Sequence, residues 1–342
     1  MTPEKLQIEQ HDQNLKNDCY NYMHRNQILS YTEQSTTVMM SVDFIRISID
    51  NIYFNTKEYL SLFNEFSRMS VTSSKLRVTG GEGYNMTKKY IIKFNNQIYK
   101  VEASKSNSTA YLPTIIKIHK PDTHLLKYLE PYLKLMLHKV NAVEFTLDFI
   151  GYQYCQIYKF MDEHLLINWP DKKKFKKKYK TTFYLNNIRK SKSKGGRCYI
   201  KTLTGDDGNT VESVRVEVLL KRRILQRKTI NSITDFLKMD NIIPLKYIAF
   251  QNFNFNYFYN KMSDECHYCK QDIESLISSF KNEIKNGNLD ELNDKAKAHY
   301  NNDDGYITYL KHHSFHKYFM SKASGLSFIN GDIFSVDVEK ML

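Results

Sequence analysis

The stretch Val143-Glu144-Phe145-Thr146-Leu147-Asp148-Phe149 alternates apolar and polar residues without a break. In an extended strand alternate side chains share a face, so Glu144, Thr146 and Asp148 stand in a row while their apolar neighbours anchor the other side in a core. Two later stretches repeat the pattern. Val214-Arg215-Val216-Glu217-Val218 puts Arg215 and Glu217 on one face, and Arg197-Cys198-Tyr199-Ile200-Lys201 does the same for Arg197, Tyr199 and Lys201. Strands of this kind supply a sheet face with three carboxylates, a tyrosine hydroxyl and several cations. Carboxylate oxygens suit hard cations such as Mg²⁺ or Mn²⁺, and a metal beside a tyrosine suits attack on a phosphodiester.

Outward from these strands, the same periodicities lay out the chain. Val42 to Phe54 reads as a strand with one buried face, and Thr56 as the N-cap of a helix reaching Met69. Lys75 to Thr79, Lys88 to Phe94, Gln97 to Ala103 and Thr114 to His119 read as strands, with Asn95-Asn96 as a two-residue hairpin turn because Asn tolerates positive φ. Pro121-Asp122 opens a helix predicted over Thr123 to His138, with an apolar stripe from Leu125 to Leu137 and with Pro131 as a point of kinking or division. The acidic strand follows over Val143 to Ile150. Thr181 to Asn186, Arg197 to Leu203 and Ser213 to Leu220 read as three strands joined by turns, extending the same sheet. After Lys221 the pattern becomes helical, best over Ile233 to Met239, Asp272 to Asn286 and Asp303 to Tyr318.

The fold class expected is α+β: a curved, largely antiparallel sheet with packed helices, followed by a helical C-terminal region. The expected divisions are a polar arm over residues 1–40, a catalytic domain over 41–228 and a mainly helical region over 229–342.

The chain has 342 residues, enough for a large core, and a formal net charge of +13 that favours polyanionic partners, nucleic acid first among them. Its most basic run, Lys172-Lys173-Lys174-Phe175-Lys176-Lys177-Lys178-Tyr179-Lys180, reads either as a solvated loop or as a clamp on a phosphate backbone with aromatics interleaved; Arg189 and Lys190 add to it. Five scattered cysteines form no disulfide framework and point to a reducing compartment. Cys266 and Cys269 have the spacing of half a zinc knuckle but lack a second pair. His312, His313 and His316 fall within a helical pattern, as one helix face or a phosphate-contacting patch. No apolar run approaches the roughly 18–20 residues needed to span a bilayer. The polar N-terminus lacks the apolar core of a signal peptide, so a cytoplasmic protein is expected.

Taken in order, Val143 to Phe149, Thr182-Phe183-Tyr184-Leu185-Asn186, the basic Arg189-Lys190-Ser191-Lys192, Arg197 to Lys201 and Val214 to Glu217 resemble the blocks of the Rep_trans replication-initiation family, over roughly residues 42–225. That family comprises rolling-circle plasmid initiators, related phage initiators and relaxases. The resemblance implies a replication initiator that nicks and rejoins one DNA strand at an origin, with Tyr199 as nucleophile, a 5′-phosphotyrosine intermediate and a free 3′-OH. It also implies Glu144, Asp148 and Glu217 as ligands of Mg²⁺ or Mn²⁺, and Arg197, Lys201 and Arg215 as partners of phosphate charge. Tyr184 is the alternative nucleophile. Implied partners are origin DNA, single-stranded or cruciform at the nick, a host helicase and polymerase, and a second copy in a homodimer. Glu144 stands where the family usually has Asp, Ala142 where Arg is common, and Asn186 where the turn usually has Gly. Readings that remain open beside this one are a non-catalytic DNA-binding initiator or regulator, a conjugative-type relaxase, and a metal-dependent nuclease without a covalent intermediate.

Overall fold

The computed structural model describes residues 35–77, 86–105, 112–151, 154–167, 176–185, 194–204, 210–240, 242–250, 252–253, 255–264, 269–285, 307–308 and 314–337. One eleven-stranded sheet organises them. Its strands are β1 (Ser35–Ile49), β2 (Ser70–Arg77), β3 (Met86–Phe94), β4 (Gln97–Lys105), β5 (Thr114–His119), β6 (His138–Ile150), β8 (Lys176–Tyr179), β9 (Thr182–Leu185), β10 (Lys194–Thr204), β11 (Thr210–Lys221) and β15 (Ile333–Asp337). They lie in the order β2-β3-β4-β5-β1-β6-β11-β10-β9-β8, and β15 also pairs with β1. Every pairing is antiparallel. β7 (Leu165–Ile167) pairs with β12 (Ile248–Phe250), and β13 (Asn252–Phe253) with β14 (Ile307–Thr308), in two small separate ribbons.

The helices are α1 (Lys57–Met69), α2 (Thr123–Lys134), α3 (Tyr154–His164), α4 (Arg222–Arg227), α5 (Ile233–Leu237), α6 (Ile242–Leu245), α7 (Phe255–Asp264), α8 (Lys270–Lys285) and α9 (Ser314–Ala323). Thr56 caps α1 by accepting from the Tyr59 amide, and Asp122 caps α2 by accepting from that of Leu125. The α+β expectation holds. Leu125, Leu126 and Leu129 of α2, Phe160 of α3 and Phe319 of α9 join one core cluster with Val143, Phe145, Leu147 and Phe149 of β6 and Val214, Val216 and Val218 of β11. Because those strand residues alternate with the polar ones, the opposite face of the sheet carries the charged side chains.

The central strand carries a phase change legible in its own residues. Val38, Met40 and Val42 are buried at even positions, Ile45, Ile47 and Ile49 at odd ones. A regular strand cannot keep both sets in one core, since a one-residue slip exchanges faces. β1 absorbs the shift as a bulge between Val42 and Phe44, with Asp43 as the extra residue; a second irregularity, between Arg46 and Ile47, lies opposite Asn141 of β6.

Several expected boundaries move. β1 begins at Ser35, so residues 35–40 belong to the sheet and not to a polar arm; residues 1–34 lie outside the described residues. It ends at Ile49, because the Asp50 side chain accepts from the Ile52 amide and turns the chain into a 3₁₀ turn at Asn51–Tyr53. β2 starts at Ser70, drawing in the β-branched Val71 and Thr72. α2 keeps Pro131 within it and stops at Lys134; Leu135 and Leu137 are exposed, and the Leu137 carbonyl accepts from the Asp50 amide where the chain swings into β6. The helix expected over Asp303 to Tyr318 is α9 alone among the described residues, preceded by β14. The C-terminal region is not separate from the sheet. β15 extends it, and Phe319 and Phe328 pack on Phe149 and Phe145 at ring-centroid distances of 6.0 and 5.2 Å. Among the described residues no helix is long and apolar enough to cross a membrane.

Candidate active site on the polar face of the sheet

Strand order brings the three sequence stretches together: β6, β11 and β10 are successive neighbours. Their register places Asp148 opposite Arg215, Thr146 opposite Glu217, Arg215 opposite Tyr199 and Glu217 opposite Arg197. On β9, Tyr184 lies opposite Arg197 and Thr182 opposite Tyr199. One face therefore holds Glu144, Asp148, Arg215, Glu217, Arg197, Tyr199, Lys201 and Tyr184.

Two linked constellations result. In the first, the Tyr199 hydroxyl donates to Glu217 Oε1 at 2.6 Å, and Arg197 Nε donates to Glu217 Oε2. An Arg197 terminal nitrogen also lies 3.9 Å from Glu144 Oε2, and its guanidinium sits 5.7 Å from the Tyr199 ring centroid. Glu217 is thus gripped from both sides. In the second, Asp148 accepts from Arg215 in a bidentate pair, one arm of which is 2.6 Å long, with both partners buried. Arg215 Nη1 reaches Asp43 Oδ1 at 3.8 Å, so Asp43, the bulge residue of β1, faces the same patch. Ser41 and Thr146 share a 2.5 Å hydrogen bond beneath them.

The electrostatics differ sharply between the carboxylates. Burial, then the charge of Glu217, then that of Asp43 push the Glu144 carboxyl up to about 8. Burial also works against the charged form of Asp148, but Arg215 and Lys201 outweigh it and hold this carboxyl below its usual value. The Tyr199 phenol is raised, by burial first and by Glu217 second, so it is a protonated donor in this arrangement. Arg197 and Arg215 are raised despite burial by their carboxylate partners.

The predicted metal ligands divide accordingly. Both oxygens of Asp148 are engaged by Arg215, and those of Glu217 by Tyr199 and Arg197; Glu144 and Glu217 also repel one another, the property a divalent cation relieves. That donor chemistry fits Mg²⁺ or Mn²⁺ at Glu144 and Glu217, with Asp43 nearby. Among the described residues no group of three His, Cys, Asp or Glu side chains converges closely enough to form a ligand set.

Two functional candidates escaped the sequence reading. Asp43 was hidden by the bulge, although the switch from even to odd apolar positions in β1 is the signal that places it. Lys117 of β5 is the other. Half-buried near Asp43 and Glu144, with its pKa lowered first by burial, it stands 4.1 Å from the Phe44 ring centroid. Neighbouring Glu102 is held well below the usual carboxylate range by His119, 3.5 Å away, against the effect of burial.

Of the basic run, Lys172, Lys173 and Lys174 lie outside the described residues, as do Arg189 and Lys190. Lys176 and Lys177 belong to β8, the outermost strand at this end of the sheet. Lys178 is exposed and pairs with Asp162 at 2.7 Å, and Lys180 lies 5.9 Å from the Tyr179 ring centroid. Cys266, His312 and His313 also lie outside the described residues. Cys269 Sγ donates to Asp272 Oδ2 at 2.9 Å, and His316 is in α9, 6.0 Å from the Phe250 ring. No family model matches this chain, and no curated protein matches it.

Proposed function

We propose that this protein is a tyrosine-dependent DNA strand nicking and joining enzyme that initiates replication at an origin. The observation that carries the reading is the Tyr199 hydroxyl resting on Glu217, with Arg197 bridging towards Glu144 on the same sheet face. Tyr199 is protonated, so an attack on phosphorus has to move its proton as the new bond forms. Glu217 is already the acceptor of that hydrogen bond and takes the proton. The Tyr199 oxygen bonds to phosphorus, the bond to the 3′ oxygen breaks, and the departing oxygen takes a proton from water as the 3′-OH. Arg197, shared between two carboxylates, can turn its fork to phosphate oxygens; Lys201 lies two residues along the same face. Glu144 and Glu217 would hold a divalent cation, which when bound would supply neutralisation of phosphate charge. The buried Asp148–Arg215 pair is the wall that keeps the patch in register.

The substrate in this reading is origin DNA, unpaired or cruciform at the nick, met in the cytoplasm beside a helicase and polymerase. A supercoiled plasmid carrying the cognate origin tests it. Mg²⁺- or Mn²⁺-dependent relaxation with protein left on the DNA is expected, and Tyr199→Phe abolishes relaxation while leaving DNA affinity within about twofold. Binding without relaxation by the unaltered protein would instead favour a non-catalytic initiator; cleavage that survives Tyr199→Phe would favour hydrolysis without a covalent intermediate.

A further inference from the structure

A second site lies on the helix-bearing face of the sheet, away from Tyr199. Where α1 meets the ends of β3, β4 and β5, a cavity of about 220 Å³ opens between Phe54, Tyr59, Phe63 and Tyr90. The rings hold one another in place: Phe54 and Tyr59 pack edge to face at 5.5 Å, and Tyr59 and Phe63 lie 4.5 Å apart. The Tyr59 hydroxyl is within 3.2 Å of Thr114 Oγ1, which fixes its ring from behind. Lys88 and Lys105 complete the lining, their ammonium groups 4.6 Å from the Tyr90 ring centroid and 5.2 Å from that of Phe54. Among the described residues neither lysine has a carboxylate partner.

Apolar cavities of this kind are usually filled by the core, and aromatic residues in a folded interior are usually covered. Here Phe54 is 40% and Leu60 46% exposed at the mouth. Flat aromatic walls with two lysines that lack carboxylate partners among the described residues match a planar ring carrying an anionic group. The volume lies below the span of drug-sized pockets and suits one such unit. We propose that this cavity binds a nucleotide, its base against the rings of Phe54, Tyr59 and Phe63 and its phosphate at Lys88 and Lys105. The unit is either a free mononucleotide or one nucleotide of an unpaired strand; the chemistry is the same. The proposal stands apart from the reaction assigned to Tyr199, since the two sites occupy opposite faces of the sheet.

Calorimetric titration of the full chain with dAMP, inorganic phosphate and a short single strand containing 5-iododeoxyuridine tests it. dAMP is expected to bind while phosphate at the same concentration does not. Phe54→Ala, whose exposed ring can be removed without opening the core, and the pair Lys88→Ala with Lys105→Ala are each expected to weaken dAMP by about tenfold or more. Tyr199→Phe is expected to leave dAMP binding unchanged, so loss of nicking and loss of this site are separable. If dAMP is silent but the iodinated strand crosslinks to the peptide holding Phe54 and Phe63, the occupant is a nucleotide within a strand, and the proposal stands. Phosphate binding as well as dAMP, unchanged binding in both variants, or crosslinks only elsewhere would overturn it.

Discussion

Glu144 bears the consequence of gathering carboxylates on a dry patch of sheet. Its ordinary value of 4.5 rises to about 8, so between those values the folded protein holds a proton that the unfolded chain releases. The contribution of Glu144 to stability is therefore full below about 4.5 and is lost as pH rises through that window, by a few kcal/mol in total, and Glu144→Gln should flatten the profile there. Urea denaturation at pH 5 and pH 8 measures it; an unchanged slope in the variant would remove Glu144 as the cause. Added Mn²⁺ should raise stability at pH 8 more than at pH 5, because the cation competes with the proton. Asp148 makes the opposite case. Asp148→Ala takes both hydrogen bonds from the buried Arg215, leaving Asp43 at 3.8 Å as its carboxylate partner, and should cost about 3 kcal/mol, whereas replacing both by Leu should restore most of that loss. A double variant no better than Asp148→Ala would show that the pair is not the unit described. The alternation within each strand told which side chains share a face, and so Tyr199, Arg197 and Lys201 were grouped from the chain alone. Which carboxylate meets which cation was not legible, because it depends on the register between strands distant in sequence.

At the scale of elements, β1 is the keel, bonded to β6 along one edge and divided between β15 and β5 along the other. Its first residues, Ser35 to Met39, are covered along that second edge by Ile333 to Asp337, and no local pattern in Ser35 to Met40 announces a partner almost three hundred residues away. Period-two and period-3.6 patterns, by contrast, told where α1, β3, β4 and β5 lie, and Asn95 and Asn96 both take the positive φ their turn requires. Boundaries failed where a side chain captured the backbone, as Asp50 does at the end of β1. Phe334 packs on Phe319 at 5.5 Å, so Phe334→Ala should cost about 3 kcal/mol. Truncation after Asn330 should be worse, exposing the edge of β1 and producing aggregation. Denaturation and sizing of the two proteins check this; a truncated chain as stable as the full one would detach β15 from the fold.

Over the whole molecule, the formal charge of +13 favours polyanionic partners, and the place of β8 at the end of the strand order offers its lysines a second role. Charged side chains on an outermost strand discourage edge-to-edge pairing with other molecules. The two roles separate by salt. If these lysines contact a single DNA strand, neutralising two of them should lower the slope of log affinity against log salt by about 0.7 per lost contact, with Lys178 contributing least because Asp162 already holds it. An unchanged slope together with new self-association would assign them to edge protection alone. Mass spectrometry of the peptide left on nicked origin DNA reads the proposed bond between the Tyr199 oxygen and a DNA phosphate: a 5′-phosphate on Tyr199 is expected, and a phosphate on Tyr184, or cleaved DNA carrying no peptide, would overturn it.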